Sequence, residues 1–256
     1  GSSQADTAGV GKVLIPSMIE QGYDAETAVG VTAASSTIGS IIPPSIVMVV
    51  YAGITNASVA ALFLAGMIPG ILVGLSMMAV VAIRGKKYNF PKNERVKTAE
   101  IGKLFLKSFP ALITPVIIIG GIVSGFFTPT EAAGVSAVYA LLVGMFVYKT
   151  ISVKSIPSII IETLKLSSLS LFALATANAL GELMGYYGVT SIVSEFFLNA
   201  PGGMYLFIAI VIAFFLFIGT FMDGVPAMIL FVPVILPAAV ALGIHPVHLG
   251  LIVTIT

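Results

Sequence analysis

Twenty-six consecutive residues, Ser58 to Ile83, carry no charge. At ~1.5 Å of rise per residue a helix of that length spans the ~30 Å hydrocarbon core of a bilayer with some tilt. The rest of the chain agrees: of 256 residues 58% are apolar and 9% charged, and the mean hydropathy is +1.10, which excludes a soluble globular domain. A net charge of +1 gives no bias toward nucleic acid. Without cysteine there is no disulfide framework, thiolate nucleophile or zinc-thiolate site. The chain starts at Gly1 without methionine and stops at Thr256 within an apolar run, so a piece of a longer membrane protein is expected.

Charge placement sets the topology. Arg84, Lys86, Lys87, Lys92, Arg95, Lys97, Lys103 and Lys107 face only Glu94 and Glu100, and this basic segment, residues 84–107, is expected in the cytoplasm. Counting from it, Ser108 to Phe127 runs outward, Thr128-Pro129-Thr130-Glu131 turns, and Glu131 to Tyr148 returns to the side of Lys149 and Lys154. Leu166 to Met184 runs outward again, and Val189 to Ala200 is expected as an interfacial amphipathic helix ended by Pro201-Gly202-Gly203.

Both ends of the chain resist simple spans. Met204 to Thr220 is apolar, Gly219 to Gly224 interrupts with Asp223, and Val225 to Leu242 is apolar but holds Pro226, Pro233 and Pro237, so a bend at membrane depth is expected. Near the start, Thr32 to Ser45 mixes hydroxyls, Gly39 and the pair Pro43-Pro44, which cannot form an unbroken helix. The two regions parallel one another. Gly1 to Asp6 and Gly219 to Asp223 each hold Gly, hydroxyls and Asp; ten residues beyond each Asp stands a proline, Pro16 or Pro233; each arm ends in a turn, Gly22-Tyr23-Asp24 or Gly243-Ile244-His245. With residues 84–107 inside, the first arm reaches the cytoplasmic face near Glu20 and the second emerges outside near Gly243, the pattern of an inverted repeat meeting at the midplane. The expected fold is an all-α polytopic membrane protein, with two re-entrant helical hairpins and broken transmembrane helices.

The segments GSSQADTAGVGKVLIPSM, TAASSTIGSIIPPSI, FFTPTEAAGVSAVYAL and GTFMDGVPAMILFVPVILPAAVALGIHPVHLG resemble, in order, the large membrane (M) subunit of tripartite ATP-independent periplasmic (TRAP) transporters. The resemblance implies a secondary transporter of the bacterial inner membrane, driven by sodium, with no other cofactor. It takes an organic acid from a periplasmic binding protein, works beside a small (Q) membrane subunit, and has an ion-transporter fold moving as an elevator. It divides the chain into a transport part at 1–57, scaffold-like helices at 58–165, and a second transport part at 166–256. Gly1 to Asp6 would be the first hairpin tip, its entering arm lying outside this chain, and Ser35 to Pro44 the helix break facing it. Gly219 to Asp223 would be the second tip, with its partner break beyond Thr256.

Sodium favours hard oxygen ligands, and broken helices supply carbonyls and hydroxyls together. Ser2, Ser3, Ser35, Ser36 and Thr37 are the hydroxyl candidates at one convergence, and Gly219, Thr220 and Asp223 serve the other; Gly1, Gly39 and Gly219 are expected to turn the backbone with positive φ. The plainer reading of any one hydroxyl is a bond to the carbonyl of its own preceding turn. An aspartate at membrane depth costs ~2.5–3.5 kcal/mol on insertion scales, so Asp6 and Asp223 need compensation, from an ion or from capping the returning arm. Ser3, Asp6, Ser40, Pro43, Pro44 and Thr220 are the candidates for holding the acid. Arg84 and Arg95 both lie in the basic segment, so helix N-termini, hydroxyls and bound cations must replace a guanidinium clamp; Lys12 is an alternative, otherwise snorkelling or pairing with Glu20.

His245 and His248 have a metal-compatible spacing but no third ligand nearby in sequence. Glu131 reads as a first-turn acid, Glu182 as facing scaffold or partner, and the pairs Phe196-Phe197 and Phe214-Phe215 as packing. An intramembrane aspartyl protease would need its carboxylates to share a proton on facing helices, and Asp6 and Asp223 stand instead in Gly-rich breaks. An ion channel, or a carrier of the wider superfamily without a binding protein, remains the alternative function. Residues 1–256 alone are expected not to transport.

Overall fold

The structure is a computed structural model and describes residues 1, 3–88, 90, 91 and 98–256. Every regular element among them is helical. The chain begins with α1 (Ser3–Gly9), α2 (Gly11–Glu20), α3 (Ala25–Ser36), the single turn α4 (Ile38–Ile41), α5 (Ile46–Thr55) and the long α6 (Val59–Lys87). It continues with α7 (Thr98–Val123), α8 (Pro129–Leu142), a π-helical turn at Val143–Val147 and a short 3-10 turn at Val153–Ser155. The last elements are α9 (Ile156–Tyr186), α10 (Val189–Asn199), α11 (Gly203–Ile218), α12 (Gly224–Ala241) and α13 (Pro246–Ile255). Five segments among the described residues are long and apolar enough to cross a membrane: Ala25–Thr55, Val59–Lys87, Glu100–Val123, Pro129–Val147 and Gly224–Ala241. The chain is a polytopic, all-α membrane protein.

Several boundaries differ from the sequence expectation, each for a local reason. α7 starts at Thr98 and takes in Lys103 and Lys107, while Arg84, Lys86 and Lys87 form the last turn of α6. Five of the eight cations of the basic segment thus stand in the last turn of α6 and the first ten residues of α7; Lys92, Glu94, Arg95 and Lys97 lie outside the described residues. The interruption expected between the two apolar stretches is present at residues 219–223, while Pro233 and Pro237 sit inside α12. Each removes one N–H, a loss that neighbouring helices make tolerable in a membrane protein.

The chain folds as two compact units, residues 1–44 with 68–159 and residues 45–67 with 160–256. In the first, α1 to α4 pack together, with Ala28, Thr32, Ser36 and Ile41 buried. In the same unit α7 and α8 form an antiparallel pair. The pair is stitched by Tyr139 Oη donating to the Pro110 carbonyl at 2.8 Å and Tyr148 Oη to that of Lys107 at 2.9 Å. The turn between them is a capping box: Thr128 Oγ1 accepts the Glu131 N–H at 3.3 Å, and Glu131 Oε2 accepts the Thr128 N–H at 2.8 Å. Glu131 is thus the first-turn acid its setting suggested.

In the second unit α12 is the core. Ala227, Met228, Ile229, Val232, Val234, Ile235, Ala238 and Ala239 are buried, apolar on all sides as a central helix must be. α5, α10, α11 and α13 pack on it. Lipid tails compete on equal terms with apolar side chains, so close approach and dispersion hold such helices together. The contact of α13 with α5 illustrates this: a Cβ at Gly250 would overlap the Tyr51 ring and Leu62, and Tyr51 Oη donates to the Pro246 carbonyl at 2.6 Å. The paired phenylalanines are packing residues, Phe197 edge-on to Phe207 at 4.8 Å and Phe214 edge-on to Phe231 at 4.8 Å between ring centres. Glu182 is exposed on α9 and Glu195 on α10.

Candidate functional site

The helix break is shorter than Ser35 to Pro44. α3 continues through Ser36, Thr37 marks a one-residue interruption, and α4 ends at Ile41. Pro43 forces its predecessor out of the helical region, and Ile42 is extended at φ −79° and ψ 129°. Helix resumes after Ser45, a buried N-cap whose Oγ accepts the Met48 N–H at 3.3 Å. The carbonyl of Gly39 cannot receive its helical bond, because residue 43 is a proline.

Ser35 and Ser36 stay helical because their hydroxyls are satisfied locally. Both donate to the Thr32 carbonyl, at 3.1 and 2.7 Å; Thr37 donates to Ala34 and Ser40 to Thr37, each at 2.8 Å. Such donation disposes of the proton and leaves the oxygen lone pairs to accept, the state a hydroxyl needs to ligate a cation.

The segment expected as the first tip meets this break. Asp6 stands in the first turn of α1, half-buried, and its carboxylate lies against Gly39, where any Cβ would collide with Oδ2. Ser3 opens the same helix and its carbonyl accepts the Thr7 hydroxyl at 2.8 Å. Ser3, Asp6, Ser35, Ser36, Thr37, Gly39, Ser40, Pro43 and Pro44 thus all belong to the first unit, as does the exposed Gly1; Ser2 lies outside the described residues. Positive φ plays no part at Gly39, which is helical, nor at Gly219, where φ is −62°. The expectation of left-handed glycines at these positions is corrected: a helical turn carries the chain through both, and Gly39 is required by the approach of Asp6.

The segment expected as the second tip is a tight turn after α11. Thr220 Oγ1 donates to the Phe217 carbonyl at 2.7 Å, and the Phe221 and Met222 N–H groups both bond the Ile218 carbonyl. Asp223 takes the N-cap position of α12 with extended backbone angles. A Cβ at Gly219 would lie 3.8 Å from the Thr256 carbonyl, so this tip backs onto the end of α13.

Positive φ occurs where the arms end. Gly22 has φ 94° and its N–H bonds the Ile19 carbonyl at 2.9 Å, while the Tyr23 N–H bonds Met18 at 3.1 Å. Gly243 has φ 81°, its N–H bonds Val240 at 3.0 Å, and the Ile244 N–H bonds Ala239 at 2.9 Å. These are the same Schellman turn. Each is followed by an N-cap: Asp24 accepts the Thr27 N–H at 2.6 Å, and His245 Nδ1 accepts that of Val247 at 3.2 Å. The imidazole of His245 thereby has a capping role. The Thr27 bonds, and in smaller part the charge of Arg84, hold the exposed Asp24 carboxyl below the usual carboxylate range.

A cavity of about 570 Å³ in the first unit escaped the sequence reading. It lies between α3 and α6, with Asp24, Glu26 and Arg84 at one end and Ser35 and Ser76 along its walls. No short-range signal marks it, because α3 and α6 are separated by the break and by α5.

Comparison with known proteins agrees with the motifs. A family model described as the tripartite ATP-independent periplasmic transporter, DctM component, matches residues 1–256. The chain is 33% identical to the C4-dicarboxylate TRAP transporter large permease protein DctM of Rhodobacter capsulatus, over all of this chain and 61% of that protein. It is 35% identical to the sialic acid TRAP transporter permease protein SiaT of Haemophilus influenzae, over all of this chain and 41% of the relative. It is 37% identical to the sialic acid TRAP transporter large permease protein SiaM of Vibrio cholerae, over 98% of this chain and 58% of the relative. The chain thus spans roughly half the length of these relatives.

Proposed function

The chain belongs to the DctM-component family of tripartite ATP-independent periplasmic transporters, and from that premise we propose that it forms the two-tip part of a large permease subunit that couples sodium influx to organic acid uptake. The acid is of the class named for its relatives, a C4-dicarboxylate, a sialic acid or a similar carboxylate. A periplasmic binding protein delivers it, a small Q subunit accompanies the permease, and the assembly sits in the bacterial inner membrane. Residues 1–57 and 166–256 move as an elevator against residues 58–165. The two arms insert from opposite faces, with the Gly22 turn inside and the Gly243 turn outside.

The observation that carries this reading is the Asp6 carboxylate seated against Gly39 at the helix break. A carboxylate there, hydroxyls whose protons are already donated, and a carbonyl deprived of its helical donor compose a hard-oxygen environment suited to sodium. A bound cation offsets the cost of Asp6 at membrane depth and supplies the positive charge that the absent arginine would otherwise give the acid. The test is uptake of radiolabelled acid by the full-length permease with its partners, with and without sodium, in wild type and Gly39→Val. Sodium-dependent uptake that Gly39→Val abolishes at normal membrane abundance is expected. Sodium-independent uptake, or an unaffected Gly39→Val, overturns the proposal.

A further inference from the structure

We propose that the end shared by α7 and α8 holds an anionic phospholipid, one whose headgroup carries two phosphates, through Lys103, Lys107, Lys149 and Lys154. All four are exposed and belong to the first unit. Lys103 and Lys107 stand one turn apart on the same face of α7, in tiers about 6 Å apart along its axis. The Tyr148 hydroxyl, donating to the Lys107 carbonyl at 2.9 Å, brings the end of the α8 arm to that level. The backbone of Lys149 therefore lies within a tyrosine's reach of Lys107, and Lys154 follows in the 3-10 turn.

Lys149 is the residue that points to a ligand. Its φ is 54°, in the left-handed region where glycine is the ordinary occupant at a helix end. The turn around it is firmly made: the Gly144 carbonyl accepts the Thr150 N–H at 2.9 Å, the Ile151 N–H at 3.3 Å and Thr150 Oγ1 at 3.4 Å. A lysine held in a fixed turn that suits glycine better is explained by a use for its side chain. Charge then sets the sign of the partner. Among the described residues none of the four lysines makes an ion pair, and Glu100, on the same stripe of α7, is the one carboxylate of that helix. One phosphate answers one of the three charges that Glu100 leaves over, and two phosphates answer two. The cations that end α6 differ, since Arg84 shares its surroundings with Asp24 and Glu26. Apolar surface adjoins the lysines: Phe105 and Phe109 of α7, with ring centres 6.0 Å apart, and Leu142 and Phe146 of α8 are exposed. A phospholipid meets both features at once, its phosphates among the ammonium groups and its acyl chains along these side chains. The leaflet alone rests on the topology proposed above, which makes it the inner one.

The test titrates cardiolipin, phosphatidylglycerol and phosphatidylcholine into the full-length permease, purified with its partners in detergent, and counts lipid-bound species by native mass spectrometry. Cardiolipin is expected to bind most tightly and phosphatidylcholine most weakly. Lys149→Gly gives the turn the residue it favours, so its melting temperature without lipid is expected to hold or rise. Its cardiolipin binding is expected to weaken about five-fold, the factor for about 1 kcal/mol per cation at an anionic surface. Lys107→Gln should weaken binding similarly, and Lys86→Gln, at the end of α6, should leave it unchanged. Equal affinity for cardiolipin and phosphatidylcholine, undiminished binding by both Lys149→Gly and Lys107→Gln, or an equal loss in Lys86→Gln overturns the proposal. Inorganic pyrophosphate, two phosphates without chains, is expected not to displace the lipid at equal concentration; displacement would overturn a lipid as the occupant. The leaflet is read separately, by an impermeant thiol reagent on Lys149→Cys in oriented vesicles of the otherwise cysteine-free permease. Reaction from the outer face would overturn the topology while the lipid site stands.

Discussion

At the scale of single residues, the first tip depends on one missing side chain and several committed protons. Gly39 has no Cβ because the Asp6 carboxylate occupies that space. Ser36 is buried and donates to Thr32. Ser36→Ala should cost about 1 kcal/mol of stability, the ordinary worth of a hydrogen bond, and raise the sodium concentration needed for half-maximal uptake. A stability loss with an unchanged sodium curve would make Ser36 purely structural. Asp24 gives a pH test whose sign follows from its lowered pKa. The cap's contribution is complete above the unfolded value of about 3.9 and is lost as pH falls through the lower folded value. Thermal denaturation of wild type and Asp24→Ala should therefore differ at neutral pH and converge only in strong acid; convergence already near pH 6 would contradict the assignment. The cluster of Ser, Gly and Pro was legible in sequence because hydroxyls beside paired prolines are unusual in a span. The reason for Gly39 was not, since the Asp6 contact joins residues 33 positions apart.

At the scale of elements, caps and tyrosine bonds fix where helices begin and how they meet. Tyr51→Phe removes the hydroxyl's donation to the half-buried Pro246 carbonyl, a loss of about 0.5–1.5 kcal/mol; a melting temperature unchanged in detergent would refute that role. Thr128→Ala breaks the capping box and should cost about 1 kcal/mol, read in the same assay. The capping box, the apolar spans and the turns at Gly22 and Gly243 could be read locally, because each is decided within a few residues. The unbroken course of α12 through Pro233 and Pro237 could not. It depends on the helices that bury it, which no local pattern of prolines reveals. The ends of α7 and α9 extend past their apolar stretches for a related reason: charged residues propagate a helix well once its apolar part is fixed.

At the scale of the whole molecule, two arms follow one pattern. Sixteen residues separate Asp6 from Gly22 and twenty separate Asp223 from Gly243. The difference of four is about one helical turn, so the second arm can be longer without rotating its faces. Both arms then end in the same Schellman turn and lead to a capped helix. This correspondence was visible in sequence as a drifting pattern of Gly, Asp and Pro, and the hydrogen bonds give it a structural basis. The remaining claim is that the arms enter from opposite faces. Its most direct measurement is sided labelling of the full-length permease in oriented vesicles, with single cysteines at Gln21→Cys and Ala241→Cys beside the two turns. We predict that Gln21→Cys reacts only from the cytoplasmic face and Ala241→Cys only from the periplasmic face; reaction of both from the same face would contradict the inverted repeat.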